Sequence, residues 1–307
     1  LAGYEVCGFD VKPEVVARLN SGKIHIVEPG LQEAMTQAMA TGRLHFSSVP
    51  EPADVFIIAV QTPYRETEEH KRVSDMRFVE SAAREVGSVL REGNLCVLES
   101  TSPPGSTRRV EQIVSEVSGL SPESFMTAHC PERIIPGRML IELRENDRII
   151  GSRRPEAAEY AKAIYEKVVT KGTIRLTDDL TAEMCKLTEN TFRDINIAYA
   201  NELSKVCDKL GIDVFKLIEL ANCHPRVNVH TPGVGVGGHC IAVDPWFIHE
   251  KFEDITPLIY EARLVNDGKP AWVADRIARD VKCGAKIAVL GMSFKANIDD
   301  TRESPSV

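Results

Sequence analysis

The segment richest in residues able to do chemistry is Gly233-Val234-Gly235-Val236-Gly237-Gly238-His239-Cys240-Ile241-Ala242-Val243-Asp244-Pro245. Glycines let a backbone approach a bound molecule closely. A cysteine emerging from such a run is placed to attack that molecule, because thiolate is a strong nucleophile. A helical turn following the glycines would set Cys240 at a helix N-terminus, where a thiol loses its proton more readily. Asp244, four residues on, would then face the same way. Upstream, Lys186, Asn190 and Arg193 fall at i, i+4 and i+7 and share one helix stripe. Charged stripes are commonly just solvated. Here Met184, Leu187, Phe192, Ile195 and Ile197 make the surroundings apolar, and burial equips a lysine to act as acid or base. Asn190 is suited to orient a hydroxyl or a water.

Other candidates stand at the ends of apolar runs. Asp10 follows Tyr4–Phe9, where a carboxylate can accept both hydroxyls of an adenosine ribose and repel a 2′-phosphate, favouring NAD over NADP. Its simpler reading is a helix cap before Pro13. Thr62 and Thr101 each follow an apolar run, and in open α/β sheets ligands bind beyond the carboxyl ends of the strands. Ordinary loop chemistry explains either threonine equally well. His224, His230, His239 and Cys240 lie near one another, but none has the tight pair spacing of a structural zinc site, so no metal is expected.

Elements that position these residues are legible in the pattern. Val55–Val60 is an unbroken apolar run, as in a strand covered on both faces. Helices are expected at Pro13–Ser21, from near Pro29 to Gly42, and over about Met76–Leu90. Further strands are expected at Leu95–Leu98, Phe125–Ala128, Arg148–Ile150 and Thr173–Leu176. Such alternation predicts an α/β fold, a Rossmann-like doubly wound parallel sheet. A long helix over Leu180–Leu210 opens a helical stretch, and strand character returns at Ile287–Leu290. We therefore expect a Rossmann-like domain over 1–177, a helical middle domain over 178–283, and the truncated start of a second Rossmann-like domain over 284–307. The glycine-rich turn of such a domain lies about 20 residues before the ribose-binding acid, so it and the first strand are expected to precede Leu1.

Bulk properties narrow the function classes. The chain has 307 residues and a net charge of −8, with no long basic tract, which argues against nucleic-acid binding. No apolar run has the length to span a bilayer. Eight scattered cysteines without a C-x-x-C pair fit a reducing, cytoplasmic setting, most of them as small buried hydrophobes.

Taken together, these segments resemble the UDP-glucose/GDP-mannose dehydrogenase family over essentially the whole chain. The likeness rests on Gly8-Phe9-Asp10, Val60-Gln61-Thr62-Pro63, Glu99-Ser100-Thr101-Ser102-Pro103-Pro104-Gly105, His129-Cys130-Pro131-Glu132-Arg133, Lys186-x-x-x-Asn190 and His224-Pro225-Arg226. It extends through Gly237–Pro245, Phe294-Lys295 and Asp299–Pro305. The resemblance implies that Cys240 is the nucleophile, Lys186 the acid/base, Asn190 and Asp244 partners of the reacting oxygen and water, and Glu132 a base for hydrolysis. It implies cofactor contacts from Asp10, Thr62, Thr101 and Arg302. It implies substrate contacts from Arg133, Ile134, Lys186, Asn190, Arg193, His224, Arg226, Gly237, Phe294 and Lys295.

Within the family, Arg133-Ile134-Ile135-Pro136-Gly137 and Cys240-Ile241-Ala242-Val243-Asp244 depart from the UDP-glucose enzymes and resemble the acetamido-sugar branch. Gln61 stands where the family commonly has proline. The resemblance implies NAD-dependent four-electron oxidation of the C6 alcohol of a UDP-N-acetylhexosamine, foremost UDP-N-acetyl-D-mannosamine, to the uronic acid through a cysteine thioester. It also implies a homodimer formed through the middle domain and a place in polysaccharide biosynthesis. A two-electron hydroxyacid dehydrogenase shares the plan without needing the cysteine, and a non-catalytic nucleotide-sugar-binding fragment is the third reading. Two NADH per sugar separates the first from the second.

Overall fold

The computed structural model describes residues 1–69, 71–293, 301 and 303–307. They form two compact units: residues 1–62 with 75–186, and residues 63–74 with 187–307.

The first unit begins with β1 (Val6–Phe9), α1 (Pro13–Asn20), α2 (Leu31–Ala40) and β2 (Leu44–Ser47). Pro13 opens α1, where its fixed φ suits the first turn and its missing N–H costs nothing. β1 and β2 pair in parallel, Cys7 opposite His45, as a separate two-stranded sheet. After β3 (Val55–Ile58), the hairpin of β4 (Tyr64–Glu66) and β5 (Arg72–Ser74) belongs to the second unit. The chain then runs through α3 (Arg77–Val89), β6 (Leu95–Leu98), α4 (Ser106–Ser118), β7 (Met126–His129), α5 (Met139–Glu145), β8 (Arg148–Gly151), α6 (Pro155–Tyr165) and β9 (Ile174–Thr177). The main sheet has the order β3-β6-β7-β8-β9.

All four residues of β6 are buried, as an apolar strand covered on both faces requires. Ile58, Cys96, Leu98 and Phe125 pack with Val79 and Ala83 of α3 and with Val110, Ile113 and Val114 of α4. Leu95, Val97, Ala128 and Ile150 pack with Ala158, Ala161 and Tyr165 of α6. The alternating residues of β6 thus feed two cores, and the sheet is doubly wound. One step departs from the expected parallel order: β7 and β8 pair antiparallel, His129 opposite Gly151. Largely parallel sheets commonly carry such a step.

The second unit holds the later part of α7 (Asp179–Leu210), then α8 (Val214–Ala221), α9 (Asp244–His249), α10 (Pro257–Asp267) and α11 (Lys269–Asp280). Asp213 caps α8 by accepting from the Phe215 and Lys216 amides. The β4–β5 hairpin is held by Lys71 to Glu253 (2.9 Å), by Ser74 N to Glu250 (2.6 Å) and by Arg72 to Asp267. Arg72 also lies over the Trp246 ring at 5.3 Å. The strand expected at Ile287–Leu290 does not form, and Ile287, Val289 and Leu290 are exposed. An apolar run becomes a strand only where a neighbour completes its backbone ladder, and no strand among the described residues does so. Among the described residues, no helix is long and apolar enough to cross a membrane.

His129, at the end of β7, is fully buried, and burial pushes its imidazole down to about 3. In the unfolded chain it titrates at about 6.5. Below that pH the unfolded state takes up a proton that the folded state refuses, so stability falls as pH drops from about 6.5 toward 3. His129→Leu should remove this part of the acid limb. Urea midpoints between about pH 7 and pH 4.5 should fall less steeply in the variant than in wild type; parallel curves would contradict the assignment.

Candidate active site

In the first unit, the carboxyl ends of β3 and β6 are fastened by one side chain. Ser100 Oγ accepts from Val60 N at 2.9 Å and donates to Val60 O at 2.7 Å. This fixes the turns carrying Thr62 and Thr101, both half-buried, beside one another. The Thr101 turn is held again at its far side. Gly105 takes a left-handed φ of 93° as the N-cap of α4. The Glu183 carboxylate, buried, accepts from Gly105 N, Thr107 N and Thr107 Oγ1 at 2.6–2.7 Å. Burial raises the Glu183 pKa against these donors. Asp10 Oδ1 accepts from Lys12 N at 2.8 Å, while the N-cap residue of α1 is Lys12 without a side-chain cap bond. The carboxylate therefore shapes the turn at the carboxyl end of β1, in the two-stranded β1–β2 sheet.

Glu132 sits in a dense cluster. Its Oε1 accepts from Arg133 N (2.6 Å) and Ile134 N (3.0 Å), and its Oε2 accepts from Arg148 at 2.9 Å. Arg148 is almost fully buried, stacks on Tyr165 at 5.2 Å and lies 3.6 Å from Glu99, which accepts from the Tyr165 hydroxyl at 2.6 Å. Burial, with the Glu99 charge, pushes the Cys130 thiol up to about 12 against the lowering influence of Arg148. The Arg133 guanidinium donates to Asp147 O at 2.9 Å. Glu28 accepts from Gly137 N and Met139 N, both at 2.8 Å, and so fixes the rest of the Arg133–Gly137 segment. Lys186, half-buried on α7, closes the first unit.

In the second unit, Cys240 is exposed at the end of the glycine run. It does not sit at a helix N-terminus. The Cys240 carbonyl accepts from Val243 N (3.0 Å) and Asp244 N (2.8 Å), closing a turn that ends where α9 begins. Pro245, which has no N–H to join a longer helical ladder, holds the start of α9 at Asp244. Asp244 does not share the exposure of Cys240: it is 2% exposed and accepts from Asn190 Nδ2 at 2.5 Å. Gly235 has φ of 145°, and a Cβ there would meet Pro305 at 3.0 Å and Pro270 at 3.2 Å. Arg193, His224 and Arg226 are exposed, and Gly237 is half-buried. Phe294, Lys295 and Arg302 lie outside the described residues.

The cysteines divide sharply, and fewer are buried than expected. Cys96, Cys130 and Cys207 are buried, with Cys96 also pushed up to about 12, so these thiols are inert. Cys223, Cys240 and Cys283 are exposed and Cys7 and Cys185 half-buried, because they stand on loops, an edge strand and a helix flank rather than in the sheet core. Cys7, His45 and Glu51 place three ligand-type atoms within 4.8 Å of one another, a group the sequence spacing did not reveal. There Glu51 pairs with His45 at 3.0 Å, and burial together with Glu51 raises the Cys7 pKa. The trio forms a polar cluster.

Sequence reasoning overlooked Ser100, Glu183, Arg148, Tyr165 and Glu28. Ser100 stood inside a motif, and Arg148 and Glu183 inside an expected strand and helix, without a role being read for any of them. Arg148 touches Glu132 itself from distant sequence, while Glu183, Tyr165 and Glu28 hold the segments around the candidate residues.

A doubly wound sheet with threonine-bearing turns at its strand ends, an acid at the end of the separately paired β1, and an exposed cysteine in a glycine run are the features of a dinucleotide-dependent oxidoreductase. Residues 1–169 match the NAD binding domain of the UDP-glucose/GDP-mannose dehydrogenase family, and residues 180–268 match its central domain. The chain belongs to that family, and NAD is its cofactor. It is 49% identical to an NDP-N-acetyl-D-galactosaminuronic acid dehydrogenase of Ralstonia nicotianae, over 99% of this chain and 73% of the relative. It is 48% identical to a UDP-N-acetyl-D-mannosamine dehydrogenase of Yersinia pestis, over 99% and 75%. Among solved structures, the UDP-D-ManNAc dehydrogenase of Pyrococcus horikoshii aligns with TM-score 0.92 and 41% identity, over 99% of this chain and 74% of that one.

Arg148 is the cation on which the Glu132 cluster depends. Arg148→Met should leave Glu99 and Glu132 facing each other without it and destabilise the first unit by about 3 kcal/mol, as breaking a largely buried pair does. Chemical denaturation measures this, and a loss within the surface range of about 0–1 kcal/mol would contradict it.

Proposed function

We propose that this enzyme oxidises the C6 alcohol of a UDP-N-acetylhexosamine, foremost UDP-N-acetyl-D-mannosamine, to the uronic acid, with Cys240 as nucleophile. The observation that carries this reading is the exposed Cys240 beside a buried Asp244–Asn190 pair. The Arg133–Gly137 and Cys240–Asp244 segments support an acetamido sugar over glucose, as do the names of the relatives.

NAD, when bound, would supply the hydride acceptor, one molecule for each of the two oxidations. Asp10 holds its ribose, and Thr62 and Thr101 line its path beyond the strand ends. Lys186 takes the proton of the C6 hydroxyl as the aldehyde forms. The Cys240 thiolate adds to the aldehyde carbon, and the second oxidation leaves a thioester, which water then cleaves. Asn190 donates to the developing oxyanion, and its bond to Asp244 fixes the direction of that amide. Glu132 accepts from two amides and Arg148, so its main service is to hold the Arg133–Ile134 backbone against the sugar; Asp244 orients the attacking water. Arg193, His224, Arg226, Gly237, Phe294 and Lys295 complete the substrate contacts, and Arg302 joins the cofactor contacts.

A panel of UDP-sugars with NAD tests this. UDP-N-acetylhexosamines should give two NADH per sugar and a higher kcat/KM than UDP-glucose. Cys240→Ala should lose acid formation by at least about 10²-fold, the lower bound for a positioned catalytic group. One NADH per sugar, or an unimpaired Cys240→Ala, would overturn the covalent route.

The enzyme acts as a cytoplasmic homodimer joined through residues 178–283, in the synthesis of a cell-surface polysaccharide. Phe192, Tyr199 and Val206 of α7 and Phe215 and Leu220 of α8 are half or more exposed, an apolar surface that a second copy would cover. Light scattering should give twice the chain mass; a monomer at micromolar concentration would contradict the assembly.

A further inference from the structure

Gly233 opens the glycine run, and its N–H donates to Asn201 Oδ1 at 2.9 Å. Asn201 lies on α7 and is fully buried. Its amide nitrogen donates to Asn266 Oδ1 at 2.9 Å. Asn266 in turn donates to Asp194 Oδ1 (2.8 Å) and to the Asp194 carbonyl (3.0 Å). Arg263 donates to Asp194 at 2.6 Å and to Asp267. Asn201, Asp194 and Arg263 are 0% exposed and Asn266 1%. Both ends of the Asn201 amide are therefore used, and its orientation is set by its partners. A buried polar network has few low-energy arrangements, because each lost bond leaves an unsatisfied group in a low dielectric.

The far end of the same run is tied to the same helix. Asp244 accepts from Asn190, and Asn190 and Asn201 lie at i and i+11 on α7, about 16 Å apart at the helical rise. Residues 233–244 thus form a strap anchored at both ends to one helix, and the strap carries Cys240. Its residues Val236 and Ala242 line a cavity of 230 Å³ whose wall includes Arg263, Asn266 and Asp267.

We propose that Asn201, backed by Asn266, Asp194 and Arg263, is a positioning residue that sets where the strap presents Cys240. This rests on the reading of Cys240 as the nucleophile. Asn201 has no part in the alcohol–aldehyde step. Its loss removes the anchor at Gly233 and frees the leading end of the strap, so the thiol samples positions away from the aldehyde carbon.

The 6-aldehyde of a UDP-N-acetylhexosamine separates this role from a general structural one. With NADH and a proton the enzyme reduces it to the alcohol, which needs no thiol. With NAD and water the enzyme oxidises it to the acid, which needs Cys240. Asn201→Ala should lower acid formation at least about tenfold while aldehyde reduction stays within about twofold. Parallel loss of both directions, or no loss of either, overturns the proposal. Cys240→Ala is measured beside it: acid formation by that variant would refute the nucleophile, not the anchor. The anchor is also read without mutation, in the hydrogen exchange of the Gly233 amide in the unaltered protein. Slow exchange supports the bond to Asn201, and exchange at the rate of an unprotected amide overturns it.

Discussion

A carboxylate stripped of water is tolerable only where donors meet it, and that requirement organises one stripe of α7. Glu183, Asn190, Asp194 and Asn201 recur at i, i+7, i+11 and i+18, and all four are buried. Each satisfies a different segment. Glu183 caps α4 below the Thr101 turn, Asn190 meets Asp244, Asp194 takes Arg263 and Asn266, and Asn201 takes Gly233. A helix whose inward stripe is polar gives up apolar burial. What it gains is directional bonding, which fixes loops that have no secondary structure of their own.

The same physics separates reactive from inert groups of one chemical type. Cys96 and Cys130 stand in or beside the sheet core and hold their protons to about pH 12. Cys240 stands on an exposed turn. Among carboxylates, Glu132 is saturated by two amides and a guanidinium, whereas Asp244 has an amide partner that itself faces the chemistry proposed for the sugar. Residue type alone would rank these groups equally; burial and partners assign them different work.

Much of the fold was legible in the residues. The run at Leu95–Leu98, the proline that opens α1 and the long helix through Leu210 formed where the pattern placed them, and the run at Val55–Val60 formed a strand that ends two residues earlier, at Ile58. Short elements were not legible: β2 has four residues including a histidine, and the β4–β5 hairpin is rich in charge. Their stability comes from partners rather than from periodicity. Ile287–Leu290 erred the other way, since apolar character without a pairing strand makes no ladder. Around the candidate site, the i, i+4 spacing did not carry Asp244 to the exposed side with Cys240, because a turn lies between them and the carboxylate folds inward to Asn190. Buried supports such as Arg148 and Glu183 act on sequence neighbours far away, which no local pattern encodes.

In the proposed route, C6 of the sugar becomes bonded to Cys240 on the way to the acid. Acid-quenched turnover of a UDP-N-acetylhexosamine 6-aldehyde with NAD, followed by peptide mass spectrometry, reads this directly. A thioester adduct is expected on the Cys240 peptide, removable by hydroxylamine, with Cys223 and Cys283 unmodified. Steady formation of acid with no adduct at Cys240, or with the adduct on another residue, would contradict it.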